Sequence, residues 1–197
     1  MSDSPARAAG APTCALRRRL LQGGAALALA PLARHAGAAD VPADKQAPQV
    51  GDLLAFPSWE NDGRPLTAGD LELHAEPLLA YPLDAASGTL RERSRLNQIL
   101  VLRFAEDELA ADTRALAADG VLATSGICTH TACGITGWDD AALHLVCPCH
   151  QSTFDPRHHG TRVSGPAPRS LPLLPIRREG EHFVVAGDFT SAVGANT

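Results

Sequence analysis

The chain has 197 residues, enough for one domain plus a targeting segment. Its net charge is −5, and it holds no internal repeat and no tract suited to nucleic acid, which excludes a solenoid and a nucleic-acid surface. Aromatic residues make up only 4%, so the core must rest on Leu, Val, Ala and Ile, and 15 prolines with 17 glycines favour short strands and loops over long helices.

Residues 1–38 do not belong to the fold. Arg17, Arg18 and Arg19 precede Leu20 and Leu21, and an apolar run continues to Leu32, interrupted by Gly23, Gly24 and Pro31. Ala36, Gly37 and Ala38 offer a small-residue cleavage site. That order is the order of an export signal. The paired arginines before two leucines resemble a twin-arginine signal. The run is shorter than the roughly 20 apolar residues of a membrane span, so cleavage is expected, and membrane association would come only through an uncleaved N-terminal segment. Cys14 precedes the arginines and is not placed like a lipid-bearing cysteine.

Residues 39–50 are polar, hold Pro42 and Pro48, and read as a linker to a domain over 51–190. Strands are predicted over 52–56, 77–83 and 97–104, each a short apolar run bounded by turn residues. Residues 63–70 are rich in turn formers, and 84–95 read as an exposed charged loop. From 105 to 119 alanine, leucine and charge dominate, and Leu109 and Leu116 could share one face of a short helix. Strands are predicted again over 120–127 and 142–146, each running into a cysteine-bearing loop. Phe154 and Asp155 lead to a turn over 157–161, and 170–176 with 182–186 suit a hairpin around Glu179 and Gly180. The tail after Phe189 is expected to be loose. His158 and His159 read as surface residues, His144 sits within a strand, and His74 and His182 have no evident partner in the sequence. The pattern is that of a small all-β domain.

The two loops carry the chemistry. The first reads Cys128, Thr129, His130, Thr131, Ala132, Cys133; the second reads Cys147, Pro148, Cys149, His150, Gln151, Ser152. Sixteen residues separate His130 from Cys147. Two thiolates and two imidazoles suit a tetrahedral zinc ion, or an iron–sulfur cluster in which histidines replace two cysteines on one iron. The residues by themselves leave both readings open.

This spacing resembles the cluster-binding motif of the Rieske iron–sulfur family, C-x-H-x16-C-x2-H, including the proline between Cys147 and Cys149 and the serine two residues after His150. By that resemblance Cys128 and Cys147 bind one iron of a [2Fe–2S] cluster, and His130 and His150 bind the other. Cys133 and Cys149 would form a disulfide between the loops, as in the high-potential branch of the family; the oxidising periplasm permits it. Ser152 matches a serine that hydrogen-bonds the cluster. Phe154 stands where cytochrome bc1-type members have a tyrosine. Gly165, Pro166, Ala167 and Pro168 resemble the proline loop that covers the cluster. A zinc knuckle needs neither the disulfide nor the serine.

The resemblance implies an antiparallel β-sandwich with a cluster-binding subdomain and one short helical insertion. It further implies periplasmic one-electron transfer, with export in the folded state. The partner would be a redox protein, either a catalytic subunit or a c-type cytochrome. Three departures from the bc1 pattern bear on which complex. Thr131 and Ala132 replace a leucine and a glycine of the first loop, and Gln151 replaces a glycine of the second. Phe154, together with residues 119–123, instead resembles the small subunit of arsenite oxidase. The expected role is therefore the small subunit of an arsenite-oxidase-like complex. The alternatives are the iron–sulfur subunit of a quinol–cytochrome c reductase and a non-redox zinc-binding module. Removing residues 1–38 takes away five arginines and Asp3, which turns the charge of −5 into −9. From net charge alone, a redox partner would present a basic docking face.

Overall fold

The computed structural model describes residues 41–195; the signal expected at 1–38 lies outside them. The described chain is built from short antiparallel strands: β1 (Leu53–Ala55), β2 (Leu78–Asp84), β3 (Thr89–Leu90), β4 (Ile99–Arg103), β5 (Val121–Ser125), β6 (Gly137–Asp139), β7 (His144–Val146), β8 (Thr153–Asp155), β9 (Thr161–Ser164), β10 (Leu173–Leu174), β11 (Ile176–Glu179) and β12 (His182–Val185). They form two sheets. The larger runs β10-β5-β4-β2-β1-β12-β11, with β3 beside β2; the smaller runs β6-β7-β8-β9.

The larger sheet is both a sandwich and nearly a barrel. β2 pairs with β4 through Leu78–Ala80 and with β1 through Tyr81–Leu83, so it passes from one layer to the other. β10 and β11 lie at opposite ends of the strand order, yet Pro175 alone separates them in sequence. Consecutive Cα atoms are about 3.8 Å apart, so the two edges must meet. Ile99, Val101, Leu54, Phe183 and Val185 fill the interior, all under 2% exposed. Each such side chain contributes roughly 1.5–3 kcal/mol of burial. β4 is apolar on both faces and pairs with β5 at five successive positions, from Ile99↔Ser125 to Arg103↔Val121, which makes it a central strand.

The strands expected over 52–56, 77–83, 97–104, 120–127 and 142–146 are present; each starts one or two residues late, the second runs on to Asp84, and the last ends at Val146 as expected. Four expectations need correcting. The 105–119 stretch holds only a 3-10 turn, Glu106–Glu108, and a single helical turn, α1 (Ala111–Arg114). Two of its backbone groups bond to distant chain, the Ala110 N–H to Arg157 and the Leu116 carbonyl to Ile176, and Ala118 turns back to pair reciprocally with Val121. Cross-chain bonds have outcompeted helix propensity. Residues 84–95 include β3 as well as loop. The tail is tied rather than loose: the Thr190 N–H donates to Leu173 O at 2.9 Å, its hydroxyl accepts from Leu173 N at 3.0 Å, and Phe189 packs on the core. β10 pairs with β5, so the final hairpin is β11–β12 alone, turning at Gly180 (φ +62°).

The stretch read as a linker is fastened to the domain. Arg91, 4% exposed, donates to the Asp52 carboxylate at 2.8 and 3.3 Å, to Ala43 O and to Gln46 Oε1. The Asn97 side-chain amide donates to Gln46 O.

Candidate metal centre

The four-stranded sheet is inserted between β5 and β10, and its strands run toward three loops: 126–136, 147–152 and 165–168. The first two loops repeat one hydrogen-bond pattern. In the first, Cys128 O accepts from the Ala132 N–H at 3.1 Å and Cys128 N donates to Cys133 O at 2.8 Å. In the second, Cys147 O accepts from the Gln151 N–H at 3.0 Å and Cys147 N donates to Ser152 O at 2.9 Å. The fifth residue of each is left-handed, Ala132 at φ +58° and Gln151 at φ +59°. Those are the two positions where the bc1 pattern has glycine, and the geometry explains why glycine suits them.

The pattern turns the first cysteine of each loop inward and its histidine outward. Cys128 and Cys147 are buried free thiols. His130 is half-buried and His150 exposed, with rings 87° apart and Nδ1 atoms separated by 3.3 Å. Two imidazole nitrogens about 2.0–2.1 Å from one tetrahedral metal would lie about 3.3–3.4 Å apart, so the pair fits two ligands of a single ion. Burial raises the Cys128 thiol pKa above its ordinary value; a backbone N–H at His130 and the Ser152 hydroxyl work against that rise. A cation would replace the proton there.

The structure joins Cys133 and Cys149 in a disulfide, with Cα atoms 6.6 Å apart. The sulfurs of Cys133, Cys147 and Cys149 all lie within 4.8 Å of one another, which on distance alone suggests a three-thiolate site. Two of the three are spent in the disulfide, so Cys147 is the one free to ligate. The chemically available donor set is two buried thiols and two converging imidazoles, which suits a [2Fe–2S] cluster with one iron on each pair.

The proline loop closes over both ligand loops. Gly165 has φ +86°, and a Cβ on it would come within 2.4 Å of Ser152 Cα, so only glycine permits the approach. The Ala167 N–H donates to Ser152 Oγ at 3.1 Å, and Ala167 and Ser152 are both buried. Pro166 and Pro168 are exposed. The Thr129 hydroxyl, fully buried, donates to Arg169 O at 2.7 Å and pins the first loop to the same segment. Nothing in the sequence singles out Thr129, a polar residue buried beside Ile127 and Cys128. Phe154 is fully buried on β8, opposite Leu145, in the core that also holds Cys128 and Cys147. Thr131 is exposed at the tip.

The remaining histidines serve the fold. His74 Nε2 meets Glu108 Oε2 at 2.7 Å, and His182 Nδ1 takes Leu66 O at 3.0 Å, so both have the partner that the sequence did not reveal. Asp155 gathers Arg157, His158 and, at 3.6 Å, His144. Burial works to raise the Asp155 pKa, but hydrogen bonds from Arg157 and His158 outweigh it and hold the carboxyl below its ordinary value. His158 is exposed as expected; His159 is only partly so and lies 3.6 Å from Asp112.

Residues 79–175 match the family model described as the Rieske [2Fe-2S] domain. Over 73 residues the chain is 47% identical to a cytochrome bc1 complex Rieske iron-sulfur subunit of Corynebacterium diphtheriae, covering 36% of this chain and 18% of that one. Over 98 residues it is 42% identical to a putative respiratory nitrate reductase subunit Rieske of Haloferax mediterranei, covering 48% of this chain and 43% of the relative. A cytochrome bc1 complex Rieske iron-sulfur subunit of Streptomyces lividans is 38% identical over 99 residues, 49% of this chain and 58% of its own length. The chain thus spans less than two thirds of each of these relatives. A domain of this family carries a [2Fe–2S] cluster, which sets the zinc alternative aside. Among the described residues no helix is long and apolar enough to cross a membrane.

Proposed function

The chain belongs to the Rieske [2Fe–2S] family, and on that premise we propose that it is an exported one-electron carrier, the electron-transfer subunit of an oxidoreductase complex. In this reading Cys128 and Cys147 hold the buried iron, and His130 and His150 hold the outer one. When bound, the cluster takes up and gives back one electron at a time. The chain's own residues do the rest. Buried Cys128 and Cys147 exclude water from one side, and the proline loop excludes it from another. The Ser152 hydroxyl favours the thiolate of Cys128, working against the rise that burial causes. Exposed His150 and half-buried His130 bring the redox centre within reach of a partner. The observation that carries the reading is the pair of buried thiols beneath two imidazoles 3.3 Å apart, locked by Cys133–Cys149.

Within that class the proposed complex is arsenite-oxidase-like, with a molybdenum-bearing catalytic subunit. Polar Thr131 at the exposed tip and Phe154 beside the thiols support it. The names of two relatives favour a second reading, the iron–sulfur subunit of a quinol–cytochrome c reductase. Export by the twin-arginine route to the periplasm completes the proposal, in keeping with a cluster assembled before translocation. Isolation of the tagged chain from its own cells, with mass spectrometry of what co-purifies, separates the two. A molybdenum-containing subunit supports the first and cytochromes b and c1 the second. A chain lacking the paramagnetic resonance signal of a reduced histidine-ligated cluster overturns both.

A further inference from the structure

Charge is sharply segregated in this molecule. Five segments meet around His130 and His150: residues 94–98, 126–137, 146–153, 162–171 and 190–195. They are joined by Gly126 N to Gln98 O, Arg95 to Ala132 O, Thr129 to Arg169 O, Ala167 N to Ser152 Oγ, and Arg169 to Gly194 O. The chain has 22 acidic residues, and none lies in these segments; Arg95, Arg162 and Arg169 do. The acids of the small sheet sit at its other end. β6 and β7 pair Gly137 with Val146 next to the loops and Asp139 with His144 away from them, and Asp155 is likewise at the far end of β8.

Arg95 and Arg162 are fixed without being neutralised. Arg95 donates to Ala132 O, two residues from His130, and Arg162 donates to Gly165 O at 3.0 Å in the covering loop. A carbonyl orients a guanidinium and leaves its full charge. Among the described residues neither Arg95 nor Arg162 is in an ion pair, and both are exposed. Each stands next to an exposed apolar side chain, Leu96 at 45% and Val163 at 53%. Arginine flanking apolar surface is the composition of protein interfaces, whereas a merely solvating surface needs neither.

We propose that this arginine-rimmed face docks an acidic surface of a protein redox partner. The proposal rests on the electron-transfer reading above and reverses the expectation drawn from net charge, which predicted a basic partner. Local charge prevails because the Debye length is about 8 Å at 0.15 M salt, so acids on the far side of the domain are screened from a partner at the tip. Electrostatic steering of this kind raises association rates by roughly 10-fold to 1,000-fold and fades with salt.

Two small oxidants of opposite charge test it on the reduced, cluster-loaded protein. Hexacyanoferrate(III) takes one electron and becomes hexacyanoferrate(II); tris(phenanthroline)cobalt(III) takes one electron and becomes the cobalt(II) complex. Stopped-flow rates are measured while the Debye length falls from about 30 Å at 0.01 M salt to about 8 Å at 0.15 M. The anion's rate is expected to fall several-fold and the cation's to rise. Arg95→Gln with Arg162→Gln should remove most of the anion's low-salt advantage and leave its high-salt rate in place. Arg95→Lys with Arg162→Lys should retain the advantage, which separates charge from loop support. An anion rate that rises with salt, or a glutamine variant that follows the unmodified protein, overturns the docking proposal while the cluster reading stands. A purified chain without the visible spectrum of a histidine-ligated cluster overturns both.

Discussion

The barrel and the ligand end of this molecule solve the same problem by different means. In the barrel, position follows from burial and backbone pairing. β4 and β5 pair at five positions, and every residue of β5 is buried. At the ligand end the strands are three or four residues long, and β9 is exposed along its length. To the backbone bonds within each loop and the small core around Phe154 are added one disulfide and a few side-chain bonds to backbone: Thr129 to Arg169 O, Ser152 from the Ala167 N–H, and Arg95 to Ala132 O. The difference follows from what each region must present. Histidine donors that reach a partner cannot also be held by burial, so the loops that bear them are tied covalently and through the few polar side chains beneath.

The hardest break removes a donor. His130→Ala or Cys147→Ala should abolish the normal cluster signal in paramagnetic resonance while the far-ultraviolet dichroism of the barrel persists. An unchanged spectrum in His130→Ala would overturn the ligand assignment. Next comes the tie between the loops. Cys133→Ser with Cys149→Ser leaves all four donors but opens a 15-residue loop, which costs about 3 kcal/mol in the chain-entropy model. Hydrogen exchange should then speed up at the Ala132 and Gln151 amides and stay slow in β4 and β5. Uniform loss of protection across both regions would mean that they form one cooperative unit rather than two.

The same contrast governs what could be read from the sequence. β4 announces itself as an apolar run, Ile99–Leu102, because burial on both faces leaves no polar position there, and β5 opens with the apolar Val121–Ala123 before its buried Thr124 and Ser125. The four proposed donors stand out in the sequence because metal chemistry restricts residue type and spacing, and the Cys133–Cys149 bond is legible through the family resemblance. β6, β8 and β9 carry no such mark: Gly137, Trp138 and Asp139 form a strand only because Val146 and its neighbours lie alongside. The 105–119 stretch has helical composition, but its Ala110 N–H and Leu116 carbonyl bond to distant chain and Ala118 turns back on Val121, so the helix is limited to one turn. The arginine rim was hidden for a further reason. Arg95, Arg162 and Arg169 lie 67 and 7 residues apart in the chain, and only the fold brings their loops together.

Ser152 sharpens the comparison, since one hydroxyl serves both the fold and the redox centre. It accepts from the buried Ala167 N–H, and it opposes the rise that burial gives the Cys128 pKa. Ser152→Ala should therefore lower the reduction potential by tens of millivolts, because a donor to sulfur stabilises the more negative reduced state, and about 59 mV corresponds to a tenfold change for one electron. It should also cost about 1–3 kcal/mol of stability by leaving the Ala167 N–H without an acceptor. Phe154→Tyr should raise the potential if its new hydroxyl reaches the Cys128 sulfur. Voltammetry of the three proteins at one pH decides this; an unchanged potential in Ser152→Ala removes the serine from the tuning of the cluster.

The smallest expected effect bears most directly on how the loops are held. Ala132 and Gln151 occupy the same place in two loops with the same hydrogen bonds, at φ +58° and +59°. A side chain in the left-handed region costs roughly 1–2 kcal/mol relative to the right-handed one, through contact of Cβ with the following carbonyl. Glycine escapes that cost but adds about 0.4–1 kcal/mol of chain entropy to the unfolded state. The balance favours glycine by about 0.5–1 kcal/mol at each position. Ala132→Gly and Gln151→Gly should each raise stability by that amount in denaturant titrations. Gln151→Gly should gain slightly less, because its side-chain amide donates to Pro148 O at 3.2 Å and that bond is lost. A glycine placed instead at Ala123, in the middle of β5 and buried, should destabilise by the ordinary penalty of roughly 0.5–1 kcal/mol. Opposite signs for the same substitution in the two regions are the expected result. A loss of stability at both loop positions would mean that the side chains there make contacts worth more than the strain, and that the loops are held by packing as the barrel is.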